Sequence, residues 1–165
     1  MKNITLIGMP GSGKSTVGVL LAKTLGFDFI DTDLVIQKRE GALLQEVLNA
    51  HGTEEFLDLE ADAICSVDCQ NTVIAPGGSV ICRERGIQHL KALGRVVYLR
   101  IPCEVLERRI QNMGSRGIAF QPGETLRDIY AYRTPLYEKY ADIVVDGDRG
   151  SLEETLSAVL QALIS

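Results

Sequence analysis

Five short apolar runs punctuate the chain: ITLIG at 4–8, FDFID at 27–31, NTVIAP at 71–76, RVVYLRI at 95–101 and DIVVDG at 142–147. They are rich in Val, Ile and aromatic residues and show little polar alternation. Strands buried on both faces of a parallel sheet read this way. Between the runs, apolar residues recur at helical spacing over 14–25, in two segments within 34–67, and over 84–93, 103–112 and 125–140. Ser151 and Glu154 write a capping box ahead of a last helix from Leu152. Strand and helix alternate throughout, which predicts an α/β fold of three layers with a parallel sheet. Internal repeats and low-complexity linkers are absent, so residues 1–165 read as a single domain.

One stretch departs from the alternation. Residues 113–124, MGSRGIAFQPGE, carry three glycines, a proline and one arginine. A loop of that length inside a compact domain is more often functional than filler. It predicts a lid over a bound ligand with Arg116 as its working residue, against the plainer reading of a surface loop.

Composition narrows the classes. A chain of 165 residues with 45% hydrophobic and 24% charged residues is globular and large enough to bury a core. No apolar run approaches the length of a membrane span, and MKNITLIG passes straight into a strand instead of a cleavable leader. A cytoplasmic protein is expected. The net charge of −5, without a lysine- or arginine-rich block, argues against a nucleic-acid or anionic-membrane partner. No obligate protein partner is inferred. The four cysteines form no C-x-x-C pair. Cys65 and Cys69 have the spacing to share a helical face, yet His51 and His89 complete no ligand pattern with them. Reduced thiols in a cytosolic core account for all four.

The chemistry begins at Gly8-Met9-Pro10-Gly11-Ser12-Gly13-Lys14-Ser15-Thr16, which fits G-x-x-x-x-G-K-[ST] at every fixed position. Its place between a predicted strand and a predicted helix is the context such a loop requires. Glycines let backbone N–H groups turn toward phosphate oxygens, and the helix start adds positive potential. Lys14 is expected on the β- and γ-phosphates and the Ser15 hydroxyl on Mg²⁺.

Asp31-Thr32-Asp33 ends the second apolar run, at the edge where ligands bind in open α/β sheets. Asp31 suits a metal and its waters, and Asp33 an acceptor hydroxyl. The competing reading is that one aspartate caps a helix beginning at Leu34, for which Asp33 is well placed. The third run ends in Pro76-Gly77-Gly78-Ser79, where glycines would let backbone approach a ligand closely.

Taken together, the phosphate loop, the DTD, the PGG turn, the arginine of SRG and the later YRTPLYEKYAD resemble the shikimate kinase family over residues 2–147. The resemblance implies a P-loop kinase fold with a five-stranded parallel sheet, related to nucleoside monophosphate kinases. It further implies transfer of the γ-phosphoryl group of ATP, with Mg²⁺, to the 3-hydroxyl of shikimate. By the same resemblance, Gly11, Ser12, Gly13, Lys14, Ser15 and Thr16 hold the nucleotide phosphates. Arg108 packs on adenine, and Arg116 closes on the phosphates. Ser15 and, through water, Asp31 serve the metal. Asp33 is the base on the acceptor, with Lys14 and Arg116 as its catalytic companions. Phe56, Leu57, Glu60, Gly77, Gly78 and Arg133 complete the acceptor site, within helices spanning about 34–67 and beyond. Arg133 precedes Thr134-Pro135, which predicts a bend in its helix.

The family pattern F-R-x-x-E reads Phe56-Leu57-Asp58-Leu59-Glu60 in this chain, so leucine stands where the family places an arginine for the acceptor carboxylate. Pro76 likewise replaces the first glycine of the family's GGG turn. Residues 53–68 hold six acidic residues and no lysine or arginine, a run that reads mostly as a solvated face. Two further readings stay open on these residues. One keeps the chemistry but moves the phosphoryl group to another small alcohol, such as a homoserine-like hydroxy amino acid whose ammonium would face Glu60. The other is a non-catalytic nucleotide-binding regulator. A guanine-reading N-K-x-D motif is absent.

Overall fold

The computed structural model describes residues 2–113, 123–148 and 150–165. Its strands are β1 (Asn3–Ile7), β2 (Asp28–Asp31), β3 (Thr72–Ala75), β4 (Gly94–Arg100) and β5 (Ile143–Asp146). The helices are α1 (Lys14–Leu25), α2 (Thr32–Glu40), α3 (Leu44–Cys65), α4 (Glu84–Leu93), α5 (Cys103–Met113), α6 (Leu126–Tyr140) and α7 (Leu152–Ile164), with a 3-10 turn at Gly78–Cys82. All five strands pair in parallel in the order β2-β3-β1-β4-β5. The predicted α/β class and five-stranded parallel sheet are both present.

The near-continuous apolar character of the strands follows from burial on both faces. On one face, Val17 and Leu21 of α1 and Val159 and Leu163 of α7 pack on Leu6, Val73, Val97 and Leu99. On the other, Ile64, Ile87, Leu90, Ile129 and Tyr137 cover Ile7, Ile74, Val96 and Tyr98. A satellite cluster of Val47, Leu48, Phe56 and Leu57 sits within α3. There α3 kinks at Gly52, whose φ of 79° belongs to the left-handed region. The two helical segments predicted for 34–67 are thus α2 and a bent α3.

Strand order places β3 between β1 and β2, so the chain reverses its direction of winding beside β1. Ligands in open α/β sheets bind at such a switch, outside the carboxyl ends of the strands. The segments that leave β1, β2 and β3 are the phosphate loop, Asp31–Asp33 and Pro76–Ser79, and all three emerge at that edge.

Three expectations need correction. The helix after β2 begins at Thr32, and Asp31 rather than Asp33 is its cap, with Asp31 Oδ1 accepting from the Asp33 backbone N–H at 2.9 Å. An aspartate side chain capping two residues on is the ordinary Asx geometry, and the sequence pattern places the cap two residues too late. α6 runs through Pro135 as one helix. Proline there deprives the carbonyl of Ala131 of its helical partner, at a residue that is exposed to solvent. A Thr125–Asp128 capping box, unremarked in the sequence, starts that helix. Lastly, Cys65 ends α3 and Cys69 lies beyond it, so the two thiols share no helix. Of the predicted lid, residues 114–122 with Arg116 lie outside the described residues. Among those described, no helix is long and apolar enough to cross a membrane.

Candidate active site

The phosphate loop leaves β1 at Gly8 and enters α1 through Gly13, whose φ of 90° places it in the left-handed region. No side chain caps α1. The first N–H groups of that helix therefore point into the loop as an anion site. Lys14 Nζ donates to the carbonyls of Gly8 at 2.9 Å and Met9 at 3.0 Å. Burial draws its pKa down to about 8, opposed chiefly by the negative charge of Asp33. Ser15 and Thr16 are exposed at the helix start, while Ser12 is buried with no hydrogen-bond partner for its hydroxyl among the described residues.

α5 braces this loop from the outside. Arg109 donates from Nη1 to the carbonyl of Gly11 at 3.0 Å, and a Cβ on Gly11 would come within 3.2 Å of Ile110 Cγ1. Arg108, singled out in the sequence, is exposed beside it. Arg109 went unremarked, although a second arginine one position on was the available signal.

Across from the loop stand two carboxylates. Asp33 Oδ1 and Glu60 Oε2 each lie 3.0 Å from the position a Cβ on Gly77 would take. A side chain there would strike both, so the backbone of Gly77 sits directly against them. Glu60 is 2% exposed, and its Oε1 accepts from Ser79 Oγ at 2.8 Å. Burial pushes Asp33 up to about 6, aided by Asp31 and opposed by Lys14. Burial likewise pushes Glu60 up to about 7, against the Ser79 hydrogen bond. The lysine and the two acids act on one another through space, so the phosphate and acceptor sides form one electrostatic unit. A Cβ on Gly78 would meet Pro10 Cδ at 2.8 Å, which locks the turn after β3 onto the phosphate loop. The Tyr137 hydroxyl donates to the Gly78 carbonyl, and its ring stacks on Tyr98 at 5.1 Å.

Beside this cluster opens a cleft of about 250 Å³, bounded among others by Leu57, Cys82, Arg83, Ile129, Tyr132 and Arg133. Arg133 is 3% exposed. Leu57 packs with Phe56 yet still reaches the cleft wall. The acidic run is only partly the solvated face expected: Asp58 pairs with Arg83 at 2.8 Å and Asp62 with Arg85 at 2.7 Å. Those arginines lie beyond the run itself, which is why the pairing was hidden. Arg83 is a cationic cleft residue that the sequence reading did not select.

Residues 10–164 match the family model described as shikimate kinase. The chain belongs to the shikimate kinase family. A shikimate kinase of Thermodesulfovibrio yellowstonii is 37% identical over 164 residues, covering 98% of this chain and 94% of that protein. Among solved structures, the shikimate kinase family supplies one from Acinetobacter baumannii in complex with shikimate, with a TM-score of 0.89 and 30% identity over 99% of this chain and 93% of that one. Another, from Aquifex aeolicus, has a TM-score of 0.81 and 33% identity, covering 98% and 96% of the two chains. Membership of this family makes the chain an ATP-dependent phosphotransferase acting on a hydroxyl group.

Proposed function

We propose that this chain transfers the γ-phosphoryl group of ATP to the 3-hydroxyl of shikimate, as a single cytoplasmic domain with no obligate protein partner. The observation that carries this reading is the meeting of Lys14, Asp33 and Gly77 at one strand edge, beside a cleft that holds a buried arginine.

The phosphate loop and the N-terminus of α1 bind the nucleotide phosphates through backbone N–H groups from Gly11 to Thr16. Lys14 leaves its two carbonyl partners for the β- and γ-phosphates. Arg108 flanks adenine, and Arg116 closes over the transferred group. The donor set suits Mg²⁺: the Ser15 hydroxyl and an Asp31 carboxylate are hard oxygens, and the Asp31 oxygen not engaged as a helix cap is available for a metal-bound water. When bound, the ion would neutralise charge on the phosphate oxygens.

Asp33 accepts a hydrogen bond from the acceptor hydroxyl and takes its proton as the new O–P bond forms. A carboxylate raised to about 6 is still ionised at neutral pH but more basic than a free one, which suits that task. Gly77 presents backbone to the acceptor, Glu60 and Ser79 fix the wall behind it, and Arg133 receives the carboxylate. The cleft also bears Arg83. Arg133 is the buried cation of this cleft, and it favours an acceptor that carries an anionic group.

Coupled measurement of ADP release across a panel of hydroxy acids and hydroxy amino acids tests this. Shikimate is expected to give saturable, stoichiometric ADP release. Release driven only by another acceptor, or by none, would overturn the assignment.

A further inference from the structure

Arg83 follows the 3-10 turn and reaches the cleft already fixed at three points. Its Nε donates to Asp58 Oδ1 at 2.8 Å, Nη1 to the Cys82 carbonyl at 3.2 Å and Nη2 to the Glu54 carbonyl at 3.2 Å. A guanidinium has five N–H donors, so Nη1 keeps one beyond these contacts, while Nη2 also stands 3.8 Å from Glu54 Oε1. The head group is thus held in place before any ligand arrives, which lowers the ordering cost of binding. Its acidic neighbours Asp58 and Glu54 have side chains 58% and 71% exposed, so water screens their hold on its charge. Leu57 and Ile129, on the same cleft, offer carbon surface and no donor.

We propose that Arg83 and Arg133 together bind the carboxylate of the acceptor, with Leu57 as the apolar wall for its ring. Arg83 is then the specificity-determining cation that the side chain at position 57 cannot supply. The proposal deepens the shikimate assignment and rests on it. It also explains why leucine is tolerated at a cleft built for an anion: the second positive charge arrives from the turn after β3 instead of from α3.

The test compares the unaltered protein with Arg83→Met and Arg83→Lys, using shikimate and its uncharged methyl ester as acceptors. With shikimate, Arg83→Met should raise KM about 10- to 100-fold, the range of a charge-assisted hydrogen bond. The KM for ATP and the melting temperature should stay close to those of the unaltered protein. Arg83→Lys should recover part of the loss, since it keeps charge without the fork. With the ester, the unaltered protein and Arg83→Met should have the same KM. An equal loss on acid and ester would make Arg83 a structural strut through Asp58, and no loss on the acid would leave Arg133 as the sole carboxylate partner. Either overturns this proposal while the shikimate assignment stands. Failure of the unaltered protein to use shikimate at all overturns both.

Discussion

The two halves of the site are built on opposite plans. The phosphate side is a continuous stretch, Gly8 to Thr16, whose working parts are backbone N–H groups and one lysine. The proposed acceptor side gathers Asp33 from α2, Leu57 and Glu60 from α3, Gly77 and Arg83 around the turn after β3, and Arg133 from α6. Recognition of a phosphate can be written in one loop, because any backbone of the right shape does it. Recognition of a particular alcohol needs side chains of different kinds, and only the fold brings these together. The first half is shared by every nucleotide such a loop can hold, and the second decides which molecule is phosphorylated.

Substitutions on the two sides should therefore separate cleanly. The largest effect belongs to Lys14→Ala. Among the described residues its ammonium donates only to two loop carbonyls, those of Gly8 and Met9, so turnover should vanish while circular dichroism and melting temperature stay nearly unchanged. Substantial residual turnover in a steady-state assay would contradict the reading of the loop. Next is Asp33→Asn, where loss of a positioned base should lower kcat by about 10²–10⁴ with little change in the affinity for ATP. A parallel loss of ATP binding would move Asp33 to the phosphate side and blur the comparison.

Gly77→Ala sharpens the boundary between the halves. Its new methyl would stand 3.0 Å from oxygens of both Asp33 and Glu60. Displacement of groups that hold the acceptor can cost up to roughly 100-fold. The loss should appear with respect to the acceptor, and the KM for ATP should remain within about twofold. The last effect concerns stability and leaves turnover aside. Glu60 rises from an ordinary 4.5 to about 7 on folding, chiefly through burial. Below pH 4.5 the group is protonated in both the folded and the unfolded chain, and its neutral burial contributes fully. That contribution drains away as pH rises to about 7, a loss on the order of 3 kcal/mol at about 1.4 kcal/mol per pKa unit. Glu60→Gln should accordingly melt higher than the unaltered protein at pH 8 and about the same at pH 5. A variant less stable at both values would mean that the ionised carboxylate is a net stabiliser.

Most of the fold was legible because burial on two faces leaves so plain a mark on the strands. All five runs became strands, displaced only at their ends, where β2 starts at Asp28 and β4 reaches back to Gly94. The phosphate loop was legible for the same reason it is portable: its spacing is local. Legibility ended where pairing crosses between elements. The acidic run on α3 looked unpartnered because Arg83 and Arg85 lie beyond its end, and proximity in space leaves no periodic trace. Arg109 was passed over for its neighbour because helix phase, rather than residue type, decides which of two adjacent arginines faces the loop. The cap at Asp31 was misplaced by an Asx turn that shifts a helix start without altering composition. The family resemblance pointed to Asp33, Glu60 and Arg133, which the fold brings to one strand edge and the cleft beside it. It carried nothing for Arg83, whose claim rests on the cleft.

The convergence of the two halves on one oxygen is the central claim, and phosphorus NMR of a reaction containing ATP, Mg²⁺, shikimate and the unaltered protein tests it most directly. The expected spectrum gains one phosphomonoester resonance, coupled to the proton at carbon 3 of the ring and equal in intensity to the ADP formed. A spectrum in which ADP is matched by inorganic phosphate, or by a phosphoester on a different ring oxygen, would contradict the arrangement of Lys14, Asp33 and the arginine-lined cleft.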